Sequence, residues 1–154
     1  MLSNFIKPNQ VIFGINVKNK KSLFQELSLR SNLANKSIDQ KILFDKMIKR
    51  EKLGNTSISN GIAMPSALLD QINETFVLFS VLYKPIDYGA GDKTPVDLVC
   101  LVVSPSSSSS KHLYVLSNFS RLLKNKNISL QLRGCENSDA FFAVLLNFNL
   151  SSAA

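Results

Sequence analysis

The segment "PVDLVCLVVSP", Pro95 to Pro105, limits the folds open to this chain more than any other. A strand with one face in water alternates apolar and polar residues, and this one is apolar almost throughout. It therefore reads as a strand covered on both faces, which requires a layered domain. "TFVLFSVLY" (Thr75 to Tyr83) is a second strand, rich in β-branched and aromatic residues, and a short strand or turn is expected around Val11 to Gly14. "KPIDYGAGDKT" connects the two longer strands.

Helical spacing surrounds these strands. In "NKKSLFQELSLRSNL", Leu23, Phe24 and Leu27 share one face, with Lys20, Gln25 and Glu26 toward solvent. Phe44, Met47 and Ile48 predict a second helix from Ile38 to about Lys52, capped by Ser37 or Asn35 and ended by Gly54. The run "SPSSSSSK" is a surface loop whose last serines can cap a helix from Lys111 to about Lys124, with Leu116, Phe119 and Leu123 on one face. A short helix ending at Gly134 follows, and Ser138 caps a last one, Asp139 to Leu146. The expected class is α/β: a mixed β-sheet flanked by helices in a three-layer-like sandwich, as a single domain over 1–150 with a tail at 151–154.

With 154 residues, 45% hydrophobic and 19% charged, the chain can build one sizeable core but not two ordinary ones. Its net charge of +7 raises nucleic acid as a partner. The cations are dispersed, however, and lack the aromatic interleaving of a base-stacking surface, so no nucleic-acid role is expected. An acidic protein partner fits the charge at least as well, though no sequence feature locates its surface. "MLSNFIKPNQ" has no apolar core of a signal peptide, and "LVCLVV" and "AFFAVLL" are too short to span a bilayer. A cytoplasmic protein without membrane insertion is expected. Cys100 reads as a small buried hydrophobe, and with Cys135 it makes neither a disulfide framework nor a metal motif.

Familiar chemical motifs do not fit. Gly54 to Gly61 lacks the Lys-Ser or Lys-Thr of a P-loop. "GAG" at Gly89 to Gly91 lacks the third glycine of a dinucleotide fingerprint. One histidine and no clustered carboxylates argue against a metal site, and no cofactor is expected. Residue types alone leave open a Ser-His-Asp arrangement of Ser66, His112 and one of Asp87, Asp92 or Asp97, although no G-x-S-x-G elbow surrounds Ser66. His112, in the first turn of its helix, reads either as a core-edge histidine satisfied by one hydrogen bond or as a neutral imidazole offered to an anion. Arg50 is either one more solvated cation or a guanidinium aimed across the loop that follows it.

That loop carries a resemblance. "REKLGNTSISNGIAMP" (Arg50 to Pro65) resembles the signature R-E-x-L-G-S-T-G-I-G-N-G-I-A-I-P-H of type-2 enzyme IIA domains of the phosphoenolpyruvate-dependent phosphotransferase system. It is most similar to the mannitol/fructose class and its stand-alone nitrogen-regulatory form. "KPIDYGAGDKTPVDLVCLVVSP" and "KHLYVLSNFSRLL" resemble two further segments of that family, in the same order and spacing. The resemblance implies an α/β fold with a mixed sheet flanked by helices. It also implies a histidine, directly after the proline, that accepts a phosphoryl group from a phosphorylated HPr-like carrier. Nitrogen-type members act by binding regulatory partners such as a sensor kinase or transporter.

On this resemblance Ser66 occupies the acceptor position, His112 matches the supporting histidine and Arg50 matches the arginine beside the phosphate. A serine hydroxyl needs a base to attack, and its ester is a poor onward donor. The resemblance thus implies either a regulatory binding module unable to take phosphate there, or a phosphocarrier that uses His112 or Ser66. Ala67 and Leu68 also depart from the pattern, as do Ser57 and Ser59, which replace glycines. If the loop needs positive φ at either serine, strain of order 1 kcal/mol is expected there.

Overall fold

The structure is a computed structural model that describes the backbone of residues 2–153 and the side chains of residues 4–148. Two 3-10 turns, Leu2–Phe5 and Pro8–Gln10, lead into β1 (Val11–Ile15). The remaining order is α1 (Lys20–Ala34), α2 (Gln40–Leu53), β2 (Ser57–Ser59), β3 (Ile62–Ala63), β4 (Ser66–Leu69), β5 (Phe76–Ile86), β6 (Val96–Pro105), α3 (Ser109–Lys124), α4 (Lys126–Arg133) and α5 (Ser138–Ala153). One six-stranded sheet runs β1-β5-β6-β3-β2, with β4 also paired to β6. It is mixed: β5 is antiparallel to β6, while β3 and β4 run parallel to it.

β6 is the central strand, as its composition requires. Leu98 through Val103 are fully buried, each worth about 1.5–3 kcal/mol over exposure for a residue of Val or Leu size. Successive side chains enter opposite layers. Val99, Leu101 and Val103 pack with Leu23, Phe24, Leu27, Leu43 and Met47 of α1 and α2. Leu98, Cys100 and Val102 pack with Val115, Phe119, Leu132 and Phe141 of α3, α4 and α5. Among the described residues no helix is long and apolar enough to cross a membrane.

Element ends depart from expectation where side-chain oxygens compete. Asp39, not Ser37 or Asn35, caps α2, its Oδ1 accepting from the Ile42 N–H at 2.9 Å. Asn35 instead closes a local turn onto the Ser37 N–H. Ile38 and Leu43, both fully buried, bracket the cap as a hydrophobic staple. Gly54 ends α2 with φ 166°, extended rather than left-handed. Ser108 precedes α3 without a capping hydrogen bond. The Asn137 side chain, not that of Ser138, accepts from the Ala140 N–H at the start of α5. That helix continues past Leu146 to Ala153, so 151–153 extend it rather than forming a separate tail, and Ala154 lies outside the described residues. β5 takes in Lys84 to Ile86, the first residues of the expected connection.

The stretch between α2 and β5, expected as an open loop, is three short strands. Asn60 (φ 53°) and Gly61 (φ 78°) turn β2 into antiparallel β3, as a two-residue hairpin requires. Neither Ser57 nor Ser59 has positive φ, so the strain expected from losing glycine there is absent. The left-handed backbone sits one residue later, on Asn and Gly, which tolerate it. Between β3 and β4, Pro65 has no N–H to donate, but its carbonyl still accepts from the Val102 N–H at 3.1 Å. Ser66 is the first residue after that interruption.

Candidate functional site

β4 lies along the C-terminal half of β6, with Ser66 opposite Val102 and Leu68 opposite Ser104. A cavity of about 620 Å³ opens at this edge of the sheet, between the C-terminal half of α2 and the first turns of α3. Ser66, His112 and Arg50 all line it, so the fold brings together the three residues singled out in the sequence. Ser66 is 5% exposed, and its hydroxyl has no hydrogen-bond partner among the described residues.

His112 is satisfied from behind. Its Nδ1 shares a 2.7 Å hydrogen bond with Ser104 Oγ, which in turn shares one of 3.1 Å with Thr75 Oγ1. Nε2 is left without a protein partner among the described residues. Burial, and then the nearby Arg50 charge, push the imidazole below its usual value near 6.5. The side chain is thus a buried histidine satisfied by one hydrogen bond, the first of the two alternatives read from the sequence.

The sign of the resulting pH dependence follows from linkage. The unfolded chain takes up this proton near pH 6.5, while the folded chain does so only lower. The contribution is therefore present above the unfolded value and is lost as pH falls toward the folded one. The melting temperature is expected to fall between about pH 7.5 and 5.5. His112→Asn should remove that part of the slope, as thermal unfolding across the range would show.

Arg50 folds across the loop after it, Nη1 donating to the Gly54 carbonyl at 2.9 Å. Its neighbour Glu51 secures the same loop. Glu51 Oε1 accepts from Thr56 N at 2.9 Å and from Thr56 Oγ1 at 2.6 Å, and Lys20 Nζ lies 3.6 Å away. Thr56 Oγ1 also shares a 2.7 Å hydrogen bond with the buried Tyr88 hydroxyl, and burial pushes that phenol up. Lys20 Nζ sits 4.2 Å from the centre of the Tyr88 ring. The network fixes the end of α2, and with it the base of Arg50, against α1 and the 84–94 connection. None of it is visible in the local pattern around Glu51. Ser104 was equally missed, although a lone serine ending an apolar strand is a signal that could have found it.

The Ser-His-Asp arrangement that residue types left open does not form. Asp87 accepts from the Gly89 N–H, Asp92 from the N–H groups of Asn60 and Thr94, and Asp97 pairs with Arg133 at 2.8 Å. The partner of His112 is a serine on β6, and among the described residues no carboxylate lines the cavity.

Arg50, His112 and Ser66 thus share one cavity of a helix–sheet–helix domain, at the strand that resumes after Pro65. Residues 4–148 match the model of the phosphoenolpyruvate-dependent sugar phosphotransferase system EIIA 2 family, and the chain belongs to that family. A nitrogen regulatory protein of Bradyrhizobium diazoefficiens is 32% identical over 145 residues, covering 94% of each chain. The crystal structure of nitrogen regulatory protein IIA-Ntr from Neisseria meningitidis matches with a TM-score of 0.85 at 24% identity, over 94% of this chain and 98% of that one. The fold is shared with enzyme IIA in the Escherichia coli complex of mannitol enzyme IIA with phosphorylated enzyme IIB. There the TM-score is 0.77 at 16% identity, over 92% of this chain and 97% of that one.

Proposed function

We propose that this chain is a nitrogen-type regulatory binding module in which Ser66 stands where the family carries its phospho-acceptor histidine, so that no phosphoryl group is taken up there. The observation that carries the reading is the isolation of the Ser66 hydroxyl. It has no hydrogen-bonded base, and His112 has its Nδ1 engaged by Ser104 instead. Without a base to remove its proton, a serine is a weak nucleophile toward phosphorus. Arg50 and His112 then form the floor and side of a binding cavity. The partners are cytoplasmic proteins, such as an HPr-like carrier, a sensor kinase or a transporter, met by the family's scaffold in a permanently dephosphorylated state.

A second reading, an active phosphocarrier, is favoured by one observation: His112 is a neutral imidazole with Nε2 unpartnered in the same cavity. Intact-mass spectrometry after incubation with phosphoenolpyruvate, enzyme I and a carrier protein separates the two. The binding module shows no phosphoryl increment under conditions that fully modify a histidine-bearing relative. An increment removed by hydroxylamine or acid marks a phosphoramidate, and with one histidine in the chain it lies on His112.

A further inference from the structure

The rim of the cavity combines cations and leucines. Lys46, Lys49, Arg50 and Lys52 are exposed on the last two turns of α2, and none forms an ion pair among the described residues. The carboxylates on that helix are engaged elsewhere: Asp45 lies 3.5 Å from Lys41, and Glu51 is held by Thr56 and Lys20. Among the described residues no Asp or Glu lines the cavity. Lys46 stands three and four residues before Lys49 and Arg50, and Lys49 three before Lys52, spacings at which like charges repel across a helix face. The helix dipole accounts for cations in the last turn, but not for Lys46. On the same rim Leu53 is 86% exposed and, from α3, Leu113 is 64% exposed.

We propose that this rim docks an acidic face of a partner protein, which sets apolar side chains on Leu53 and Leu113 and a carboxylate toward Arg50. The proposal deepens the binding-module reading and rests on it, because it names the chemistry of the partner that module receives. Charge complementarity selects the acidic face, since only anions relieve the repulsion among four neighbouring cations and steer encounter toward them. The leucines select a protein, because exposed leucines beside a concavity are covered by packed apolar side chains. Single-stranded nucleic acid would find no Phe, Tyr or Trp in the lining on which to stack its bases. A flat bilayer surface would leave the floor of the cavity, with His112 and Ser66, unfilled.

The test is fluorescence anisotropy of the full chain titrated with a labelled peptide of alternating Glu and Leu. Controls replace Glu by Lys, or Leu by Ser. The Glu-Leu peptide is expected to bind and the Lys-Leu peptide not to, with the Glu-Ser peptide weaker by about tenfold. Lys46→Glu/Lys49→Glu should weaken Glu-Leu binding by at least roughly tenfold, and Leu113→Ser by roughly fivefold. These are exposed sites, and circular dichroism checks that each variant folds. Equal binding of the Lys-Leu peptide, or unchanged affinity in the charge-reversed variant, would overturn the proposal. So would preferential binding of phosphatidylserine vesicles, or of a single-stranded oligonucleotide, through the same lysines. Intact mass of the same protein after incubation with phosphoenolpyruvate, enzyme I and a carrier protein keeps the two readings apart. A phosphoryl increment removes the non-phosphorylatable reading whatever the peptide does, whereas failed peptide binding without an increment removes the docking surface alone.

Discussion

On the binding-module reading, Ser66→His is expected to restore uptake of one phosphoryl group per molecule from a phosphoenolpyruvate relay. An imidazole attacks phosphorus near neutral pH without a separate base, whereas the Ser66 hydroxyl has no hydrogen-bonded base among the described residues. The position suits the new ring. Ser66 begins β4 directly after the Pro65 interruption and faces a cavity of about 620 Å³, so an imidazole can enter that space rather than the core. Arg50 on the same lining supplies a cation for the phosphoryl oxygens. The gain in labelling rate should be roughly 10²-fold or more, the scale of a missing general base. It is read by intact mass, with loss of the increment in acid. A Ser66→His chain that stays unmodified beside a fully labelled relative would count against Ser66 as the reason the proposed module takes up no phosphate.

The second large effect is structural. Gly61→Ala is expected to cost roughly 2–3 kcal/mol, because two penalties coincide at one atom. The residue has φ 78°, and a Cβ there would lie 2.9 Å from the Pro95 carbonyl oxygen, 3.0 Å from Arg133 Nη2 and 3.3 Å from Asp97 Oδ1. Those neighbours form the clamp that holds the hairpin. Arg133 donates to the Asn60 carbonyl at 2.6 Å and to Asp97 at 2.8 Å, and the Gly61 carbonyl accepts from the N–H groups of Asp97 and Leu98. Gly54→Ala is the control: its φ is extended and no atom lies within 4 Å of a Cβ there. It should change stability by no more than about 0.5 kcal/mol. Urea unfolding of both variants compares them directly, and equal midpoints would show that the hairpin relaxes without loss.

Much of the fold was legible because its signals are local. The unbroken apolar run of β6 announced a doubly covered strand, and the 3.6-residue spacing of Leu23, Phe24 and Leu27 announced the buried face of α1. Caps were less legible. Asn35, Ser37 and Asp39 can all accept a hydrogen bond, and only the chain path decides which oxygen meets the free N–H groups of α2. The Asn60-Gly61 turn was legible and was passed over, since the dipeptide is among the strongest hairpin signals and Ile62-Ala63 follows it directly. Attention to the lost glycines at 57 and 59 drew the eye from the positive-φ pair, Asn60 and Gly61, that follows directly.

The sequence by itself determined the helices, the two long strands with β6 covered on both faces, and the serine that follows Pro65. These depend on neighbouring residues and on chemical identity, which the chain carries before it folds. Only the tertiary structure decided that His112 rests on Ser104 rather than on a carboxylate, that Lys20 and Tyr88 brace the loop beside Arg50, and that four cations without an ion pair among the described residues share a rim with Leu53 and Leu113. Each of these contacts joins elements separated by turns of unrelated sequence. Its existence is set by how the two helical layers pack on the sheet, for which no local periodicity is a signal.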